Sequence, residues 1–314
     1  MAGSHVGIVW NPSKTSKEEL EAAWDEAAAG HDDVRVSWFE TSEDDPGRRA
    51  TQQALDAGAE VVLAAGGDGT VRAVAEHLAD TGADAALGIV PLGTGNLLAR
   101  NLEVPLGDLS GAFARALGDG ATSLDVGWAE VTLATGVERH AFVVMAGFGI
   151  DAHMISETDD DLKDKAGWLA YVESLGRAFS ASEVIELRIS IDDAEPTTEQ
   201  AHTLIVGNCG TLQGGVTLLP DAQPDDGELD ALILSADGVP GWMDTLKNMV
   251  WDNGLKRMLG SSDQAESCES ATHRRLTSLA VDLSEPRLVE VDGDELGEAT
   301  RLVVTVQPGA ITVR

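Results

Sequence analysis

Residues 61–72 read Val-Val-Leu-Ala-Ala-Gly66-Gly67-Asp68-Gly69-Thr70-Val71-Arg72, and these residue types suit the handling of phosphate. An apolar run of buried-strand length stops at a glycine cluster holding one carboxylate and one hydroxyl. A helical pattern, Val71 to Ala79, comes next. Glycine lets backbone N–H groups approach a ligand without a Cβ in the way. Successive N–H groups ahead of a helix N-terminus form an anion site, to which the helix dipole adds. Asp68 would repel a bare phosphate, so its presence points to a cation that neutralises both, Mg²⁺ being the natural one. A Gly-rich turn with no ligand is the plain alternative.

A second loop of the same kind lies about 25 residues on. Ala86–Val90 is a short apolar strand, Pro91-Leu92-Gly93-Thr94-Gly95-Asn96 comes after it, and Leu97–Leu102 begins a new helix. Two strand–loop–helix units fit neighbouring βα units of a parallel sheet, their loops opening at one edge. Facing glycine loops suit a polyphosphate better than a single phosphate. Gly66, Gly67, Gly69 and Gly93 are the expected amide cradle. Thr70 and Thr94 add hydroxyl donors, or cap their helices.

The elements that must position these loops alternate strand and helix up to about residue 125. Strands are expected at Val6–Trp10, Val34–Phe39, 61–65 and 86–90. Helices are expected from a capping box at Ser16-Lys17-Glu18-Glu19 to Ala29, around Gly47–Ala57, at 69–79, and near 97–102 and 108–118. After Asp125 the rhythm changes. Val126–Leu133, His140–Met145, Val184–Ile191, Thr203–Gly207, Leu229–Leu234, Leu279–Leu283 and Arg287–Val291 read as strands, with helical segments only near 162–180 and 240–259. Such runs indicate an antiparallel sheet or sandwich. The tail Leu302–Arg314 reads as strand, turn and strand.

Composition narrows the function. The chain has 314 residues and a net charge of −33, from 54 acidic and 21 basic side chains. That argues against nucleic-acid binding, which needs a basic footprint. It also opposes simple attachment to an anionic membrane. Glu43-Asp44-Asp45 and Asp159-Asp160-Asp161 read as solvated loops. No apolar run approaches the ~20 residues that span a bilayer, and no signal peptide is evident. Cys209 and Cys268 lack metal-ligand spacing and read as reduced thiols.

Taken in order, Asn11-Pro12, Gly66–Thr70, Pro91–Asn101, Asp125-Val126-Gly127, Gly147–Asp151, Lys165 with Gly167 and Tyr171, Pro220–Gly227 and Val291-Asp292-Gly293 resemble the lipid kinase family that includes diacylglycerol and sphingosine kinases. The Gly66–Thr70 segment alone also looks like NAD kinases and phosphofructokinases. The resemblance implies a three-layer α/β domain around a parallel sheet, residues 1–125, to which the tail at about 302–314 returns. A mainly antiparallel β-sandwich lipid-substrate domain, residues 126–301, is implied beside it. The implied reaction is ATP- and Mg²⁺-dependent transfer of the γ-phosphoryl group to a lipid hydroxyl, with diacylglycerol the first choice. A sphingoid-base kinase, an NAD kinase-like enzyme and a non-catalytic nucleotide or lipid binder are the alternatives. Implied partners are ATP, the lipid, a peripheral and transient contact of a cytoplasmic protein with the inner face of the membrane, and no nucleic acid; a homodimer is left open.

The resemblance also assigns residues. Asn11 and Thr41 match nucleotide-contacting positions, as does the Asn96 segment, although Asn11 and Thr41 could equally shape turns. Asp68 holds the catalytic Mg²⁺, with Asp125 sharing that role or serving only as a strand-end carboxylate. The family places a glutamate after its Asp-Gly pair as proton acceptor; here Asp294 stands there, with Asp292 supporting and Glu295 adjacent. Without the resemblance, Asp292-Gly293 is simply a hairpin signal. Asp226, with Gln223 and Glu228, matches a loop that binds a second, structural Mg²⁺. Two departures stand out. Leu97 replaces a frequent aspartate, and Ser13-Lys14-Thr15-Ser16-Lys17 alters a Ser-Gly-Lys run. Trp242, Met243, Leu246, Met249, Trp251 and Met258, with Lys247, Lys256 and Arg257, suit an interfacial helix or core packing.

Overall fold

A computed structural model of the chain describes residues 4–31, 33–149, 184–212, 217–235 and 271–314. The segments expected as helices at 162–180 and 240–259, together with Asp151, Asp159–Asp161, Lys165, Tyr171, the Trp242–Leu259 clusters and Cys268, lie outside the described residues. The chain forms two compact units, Met1–Val126 with Gln307–Arg314, and Gly127–Val306.

The first unit is built on β1 (His5–Trp10), β2 (Arg35–Glu40), β3 (Val61–Gly66) and β4 (Ala86–Pro91). They run parallel in the order β2-β1-β3-β4, with Val6 opposite Val61 and Val61 opposite Ala86. β1, β3 and β4 are buried at every residue, as parallel strands covered on both faces must be. The covering helices are α1 (Lys17–Ala27), α2 (Arg48–Asp56), α3 (Asp68–Thr81), α4 (Leu97–Asn101) and α5 (Leu109–Leu117). Trp24 of α1 packs edge-on against Phe113 of α5, 5.5 Å between centroids. Ser16 caps α1 as its capping box predicts, accepting from Glu19 N at 3.2 Å, and Gly82 at φ 60 ends α3. The last residues of β14 (Asp294–Val313) return here: Thr312 and Val313 pair in parallel with Ala86 and Leu87 of β4.

The second unit is mainly antiparallel β. It contains β5 (Thr122–Leu133, whose first residues belong to the first unit), β6 (Gly136–Phe142), β7 (Met145–Phe148), β8 (Ile185–Ile191), β9 (Thr197–Ala201), β10 (Thr203–Gly207), β11 (Leu229–Leu234), β12 (Ala271–Leu276), β13 (Ser278–Val291) and most of β14. Strands pair in the order β12-β11-β10-β7-β13-β14, with β8 on β13, β9 on β8 and β5 on β6. Phe142, Phe148, Leu187, Leu204, Leu229, Val289 and Leu302 are among the buried residues of its core.

Several elements differ from the sequence reading. β9 and β12 carry no apolar alternation: Thr-Thr-Glu-Gln-Ala and Ala-Thr-His-Arg-Arg-Leu are held in register by β8 and β11 instead. The strands expected at Leu279–Leu283 and Arg287–Val291 are one strand, β13. Its register against β14 shifts between Asp282 and Arg287, around Pro286, which has no N–H to give a ladder. The expected turn in the tail is absent, since β14 continues through Gly309 at φ 56. The single strand expected at His140–Met145 is broken at Val143 and Val144, whose N–H groups go to the Asp292 carboxylate.

Candidate active site

In the first unit, parallel pairing places the carboxyl ends of four strands side by side. Thr41 N donates to Trp10 O (2.9 Å), Asn11 N to Ala65 O (3.0 Å) and Leu92 N to Gly66 O (2.8 Å). Thr41, Asn11, the Gly66 loop and the Gly93 loop thus succeed one another along one sheet edge, three strand spacings or about 14 Å in all. Ligands of open α/β sheets bind at that edge.

The two glycine loops interlock. A Cβ on Gly93 would meet Gly67 Cα at 2.7 Å, so the second loop rests directly on the backbone of the first. A Cβ on Gly66 would meet the Thr70 side chain at 2.5 Å. Thr70 is buried beneath the loop, so glycine at 66 makes room for it. Carbonyl acceptance begins at Gly67 O, which takes Thr70 N (3.0 Å) and Val71 N (3.1 Å). The N–H groups of Asp68 and Gly69 therefore lie ahead of the ladder of α3, at the positive end of a 14-residue helix.

Asp68 braces this arrangement. Its Oδ2 accepts from Asn96 N (2.8 Å) and its Oδ1 from Leu97 N (2.5 Å). Asn96, at φ 47, folds back on its own loop: Oδ1 accepts from Gly93 N (2.9 Å) and Nδ2 donates to Gly93 O (2.6 Å). Arg100 Nε donates to Gly95 O (2.7 Å). The helix caps fall on Gly67 and Asn96, so Thr70 and Thr94 do not cap their helices. Each Asp68 oxygen accepts from a backbone donor, and an ionised carboxylate can accept several bonds at once.

The remaining candidates are spread over both units. Asn11 Oδ1 accepts from Ser13 N (2.9 Å) and Ser13 Oγ (2.8 Å), so the side chain shapes the Asn-Pro turn. Thr41 is buried at the end of β2. Lys17 pairs with Glu21 at 3.1 Å on α1. Asp125 is buried and accepts from Gly309 N (2.6 Å), tying the returning tail to β5 within the first unit.

In the second unit, Val291 stands opposite Asp294 across a two-residue turn, Asp292 at φ 49 and Gly293 at φ 86. Positive φ at both positions is the type I′ hairpin that Asp-Gly favours. Asp294 and Glu295 are exposed. Asp292 is buried, 4% exposed. Its Oδ2 accepts from Val143 N and its Oδ1 from Val144 N and Met145 N, all at 2.9 Å. Asp292 is therefore a clasp on the segment joining β6 to β7.

Asp226 and Glu228, expected around a cation, both pair with Arg275, at 3.1 Å for Glu228. Glu228 N also donates to Asp226 Oδ1 (3.1 Å). The guanidinium supplies the positive charge that a metal would bring there. Burial pushes the neighbouring Asp230 carboxyl up to about 6, Arg275 opposing and Asp221, Asp226 and Glu228 adding. Among the described residues no group of three or more His, Cys, Asp or Glu side chains is placed to hold a metal. Asp68 fits the sparse mode of Mg²⁺ binding, in which one or two carboxylates act together with substrate phosphates and water.

Paired glycine loops at the carboxyl ends of a parallel sheet, with a carboxylate at the helix start, define a phosphate-handling α/β protein. Comparison with known proteins makes the class specific. Residues 5–129 match the family described as "Diacylglycerol kinase catalytic domain", and residues 143–314 match "YegS C-terminal NAD kinase beta sandwich-like domain". The chain is 35% identical over 311 residues to a protein of Pseudomonas aeruginosa named "Probable lipid kinase YegS-like", covering 98% of this chain and 93% of that one. A Pseudomonas fluorescens protein of the same name is 31% identical over 313 residues, with the same coverage. The fold is similar to the crystal structure of a diacylglycerol kinase from Bacillus anthracis str. Sterne, at TM-score 0.70 and 19% identity, covering 100% of this chain and 97% of that one.

The chain belongs to the YegS-like lipid kinase family. It pairs a diacylglycerol kinase catalytic domain on a mainly parallel sheet with a C-terminal β-sandwich domain. No helix among the described residues is long and apolar enough to cross a membrane. Sequence reasoning missed the partners of the candidates: Val143–Met145 for Asp292, Gly309 for Asp125 and Arg275 for Asp226. Each is far off in the chain, and no local motif marks it.

Proposed function

We propose that the protein is an ATP- and Mg²⁺-dependent lipid kinase that transfers the γ-phosphoryl group to a lipid hydroxyl, diacylglycerol becoming phosphatidic acid. The observation that carries this reading is the interlocked pair of glycine loops at the sheet edge, together with membership of a lipid kinase family. The first unit, Met1–Val126 with Gln307–Arg314, takes the nucleotide, and the second, Gly127–Val306, takes the lipid. N–H groups of Gly67 and Gly69 face the phosphates, while Gly93, whose own N–H goes to Asn96 Oδ1, lets the second loop rest on the first, and Asn11, Thr41 and Asn96 shape the edge on which the nucleotide lies. Asp68 would hold Mg²⁺, with Asp125 sharing that role, and the ion would neutralise charge on the phosphates. A second Mg²⁺ at Asp226, Gln223 and Glu228 would compete with Arg275 for the two carboxylates.

Asp294 is assigned as proton acceptor. As the lipid oxygen bonds to the γ-phosphorus, its proton passes to the Asp294 carboxylate and the bond from that phosphorus to the β,γ-bridging oxygen breaks, releasing ADP. Exposure at a hairpin end leaves the carboxylate accessible to a substrate hydroxyl. Contact with the inner face of the membrane is transient, since net charge −33 opposes stable residence on anionic lipid.

Purified protein with labelled ATP, MgCl₂ and mixed micelles of diacylglycerol or a sphingoid base, with NAD as a separate acceptor, tests the reading. Label in phosphatidic acid that disappears on chelation is the expected result. Phosphorylation of NAD alone, or ATP binding with no labelled product, would reject it.

A further inference from the structure

The turn at Asp292-Gly293 needs only residues that tolerate positive φ, and asparagine or glycine would serve it without burying a charge. The sequence nevertheless places a carboxylate there, 4% exposed. Withdrawing it from water is unfavourable unless its oxygens are hydrogen-bonded. They are: three successive N–H groups, Val143, Val144 and Met145, point at it at 2.9 Å each. The clasp is reciprocal, for Asp292 N donates to Met145 O at 2.9 Å.

The gripped segment is held from its other side as well. Asn208 N and Cys209 N donate to Val144 O (2.8 and 3.1 Å), and Asn208 Nδ2 reaches Val143 O (3.4 Å). Burial, with the charge of Asp292 adding, pushes the Cys209 thiol up, so it stays a donor toward Val143 O (3.5 Å). Neighbouring ladders are continuous: Val291 pairs with Ala146, and Val206 pairs with Ala146 from the opposite side. The turn is thereby fixed to the interior of the second unit through the Asp292 side chain and backbone, and the next side chain to leave it is Asp294.

From this we infer that Asp292 is a positioning residue: its three-way grip on Val143–Met145 sets where Asp294 stands. The inference rests on the reading of Asp294 as proton acceptor. Such a group must be held within hydrogen-bond reach of the hydroxyl it serves, and a displacement of 1 Å can cost about 100-fold in rate. Asparagine at 292 would keep one acceptor oxygen and turn an amide donor toward a backbone N–H, opening the grip while leaving the turn type intact.

A double-mutant cycle on the full chain tests this, with initial rates in ATP and mixed-micelle diacylglycerol for wild type, Asp292→Asn, Asp294→Asn and the double variant. Asp292→Asn is expected to lower kcat about 30-fold or more and to leave KM for ATP within about twofold. With asparagine already at 294, the second substitution should remove less than about threefold further. The same factor in both backgrounds, or a reduced active fraction with unchanged kcat per active molecule, would overturn the proposal while leaving Asp294 in its role. Wild-type kcat in Asp294→Asn would overturn the reading of Asp294, and the proposal with it. Should Asp292→Asn not fold, Gly293→Ala takes its place: nothing lies within 4 Å of the added Cβ, but φ 86 strains it. A fall in kcat of about fivefold or more with a near-native melting temperature supports the proposal, and wild-type kcat overturns it.

Discussion

The two units use the same device to different ends. In the first, Asp68 accepts from Asn96 N and Leu97 N and locks one glycine loop against another. In the second, Asp292 accepts from three successive N–H groups and locks a hairpin turn to the core. Asp68 opens a helix and is half-buried, so its charge is stabilised by the dipole and by water. Asp292 is buried, and three backbone donors converge on its carboxylate. The groups each leaves available also differ. Around Asp68 the exposed chemistry is main chain, because side chains are absent where glycine meets glycine. Beyond Asp292 it is a side chain, Asp294. A carboxylate clasp can therefore present either backbone to a polyphosphate or a proton acceptor to a hydroxyl, according to the residues next to it in the chain.

Breaking the second arrangement at its end should have the largest effect. Asp294→Ala is expected to lower kcat about 10²–10⁴-fold, while ATP affinity measured by calorimetry stays at the wild-type value. A loss of ATP affinity instead would blur the division between the two regions. Breaking the first should do the reverse. Gly93→Ala drives a Cβ against Gly67 Cα, and the backbone shift is expected to destabilise by about 1–3 kcal/mol, seen in urea unfolding, and to weaken ATP binding about tenfold or more.

The two clasps can then be compared directly. Asp292→Asn leaves a buried donor unsatisfied and should cost about 2–3 kcal/mol, against about 1 kcal/mol for Asp68→Asn at its half-buried site. Equal losses in urea would mean that burial does not distinguish them. The smallest effect concerns Cys209. With its thiol shifted upward and buried, alkylation at pH 8 read by peptide mass spectrometry should run about tenfold or more slower than for a free thiol, and faster in Asp292→Asn, where the raising charge is gone.

Much of the first unit was legible in the sequence because its signals are local. Val61–Gly66 is an unbroken apolar strand, the glycine cluster ends it at Gly67, and Ser16 with Glu19 writes its own helix start. The glycine cluster announces a backbone site, but not that Gly93 would rest on Gly67, a contact between loops 26 positions apart. The second unit was harder to read. β9 and β12 have polar sequences and exist as strands through their neighbours. The break between β6 and β7 is made by Asp292, nearly 150 positions away, so the apolar run His140–Met145 reads as one strand. Arg275, which pairs with Asp226, likewise lies 49 positions on, and no local motif announces the pairing.

The central claim is that interlocked main-chain loops bind nucleotide polyphosphate with Mg²⁺. Isothermal titration of ATP with MgCl₂ into wild type and into Gly93→Ala tests it most directly. Saturable one-to-one binding to wild type, weakened in the variant, is the predicted result. No binding heat with wild type, or identical isotherms for the two proteins, would contradict it.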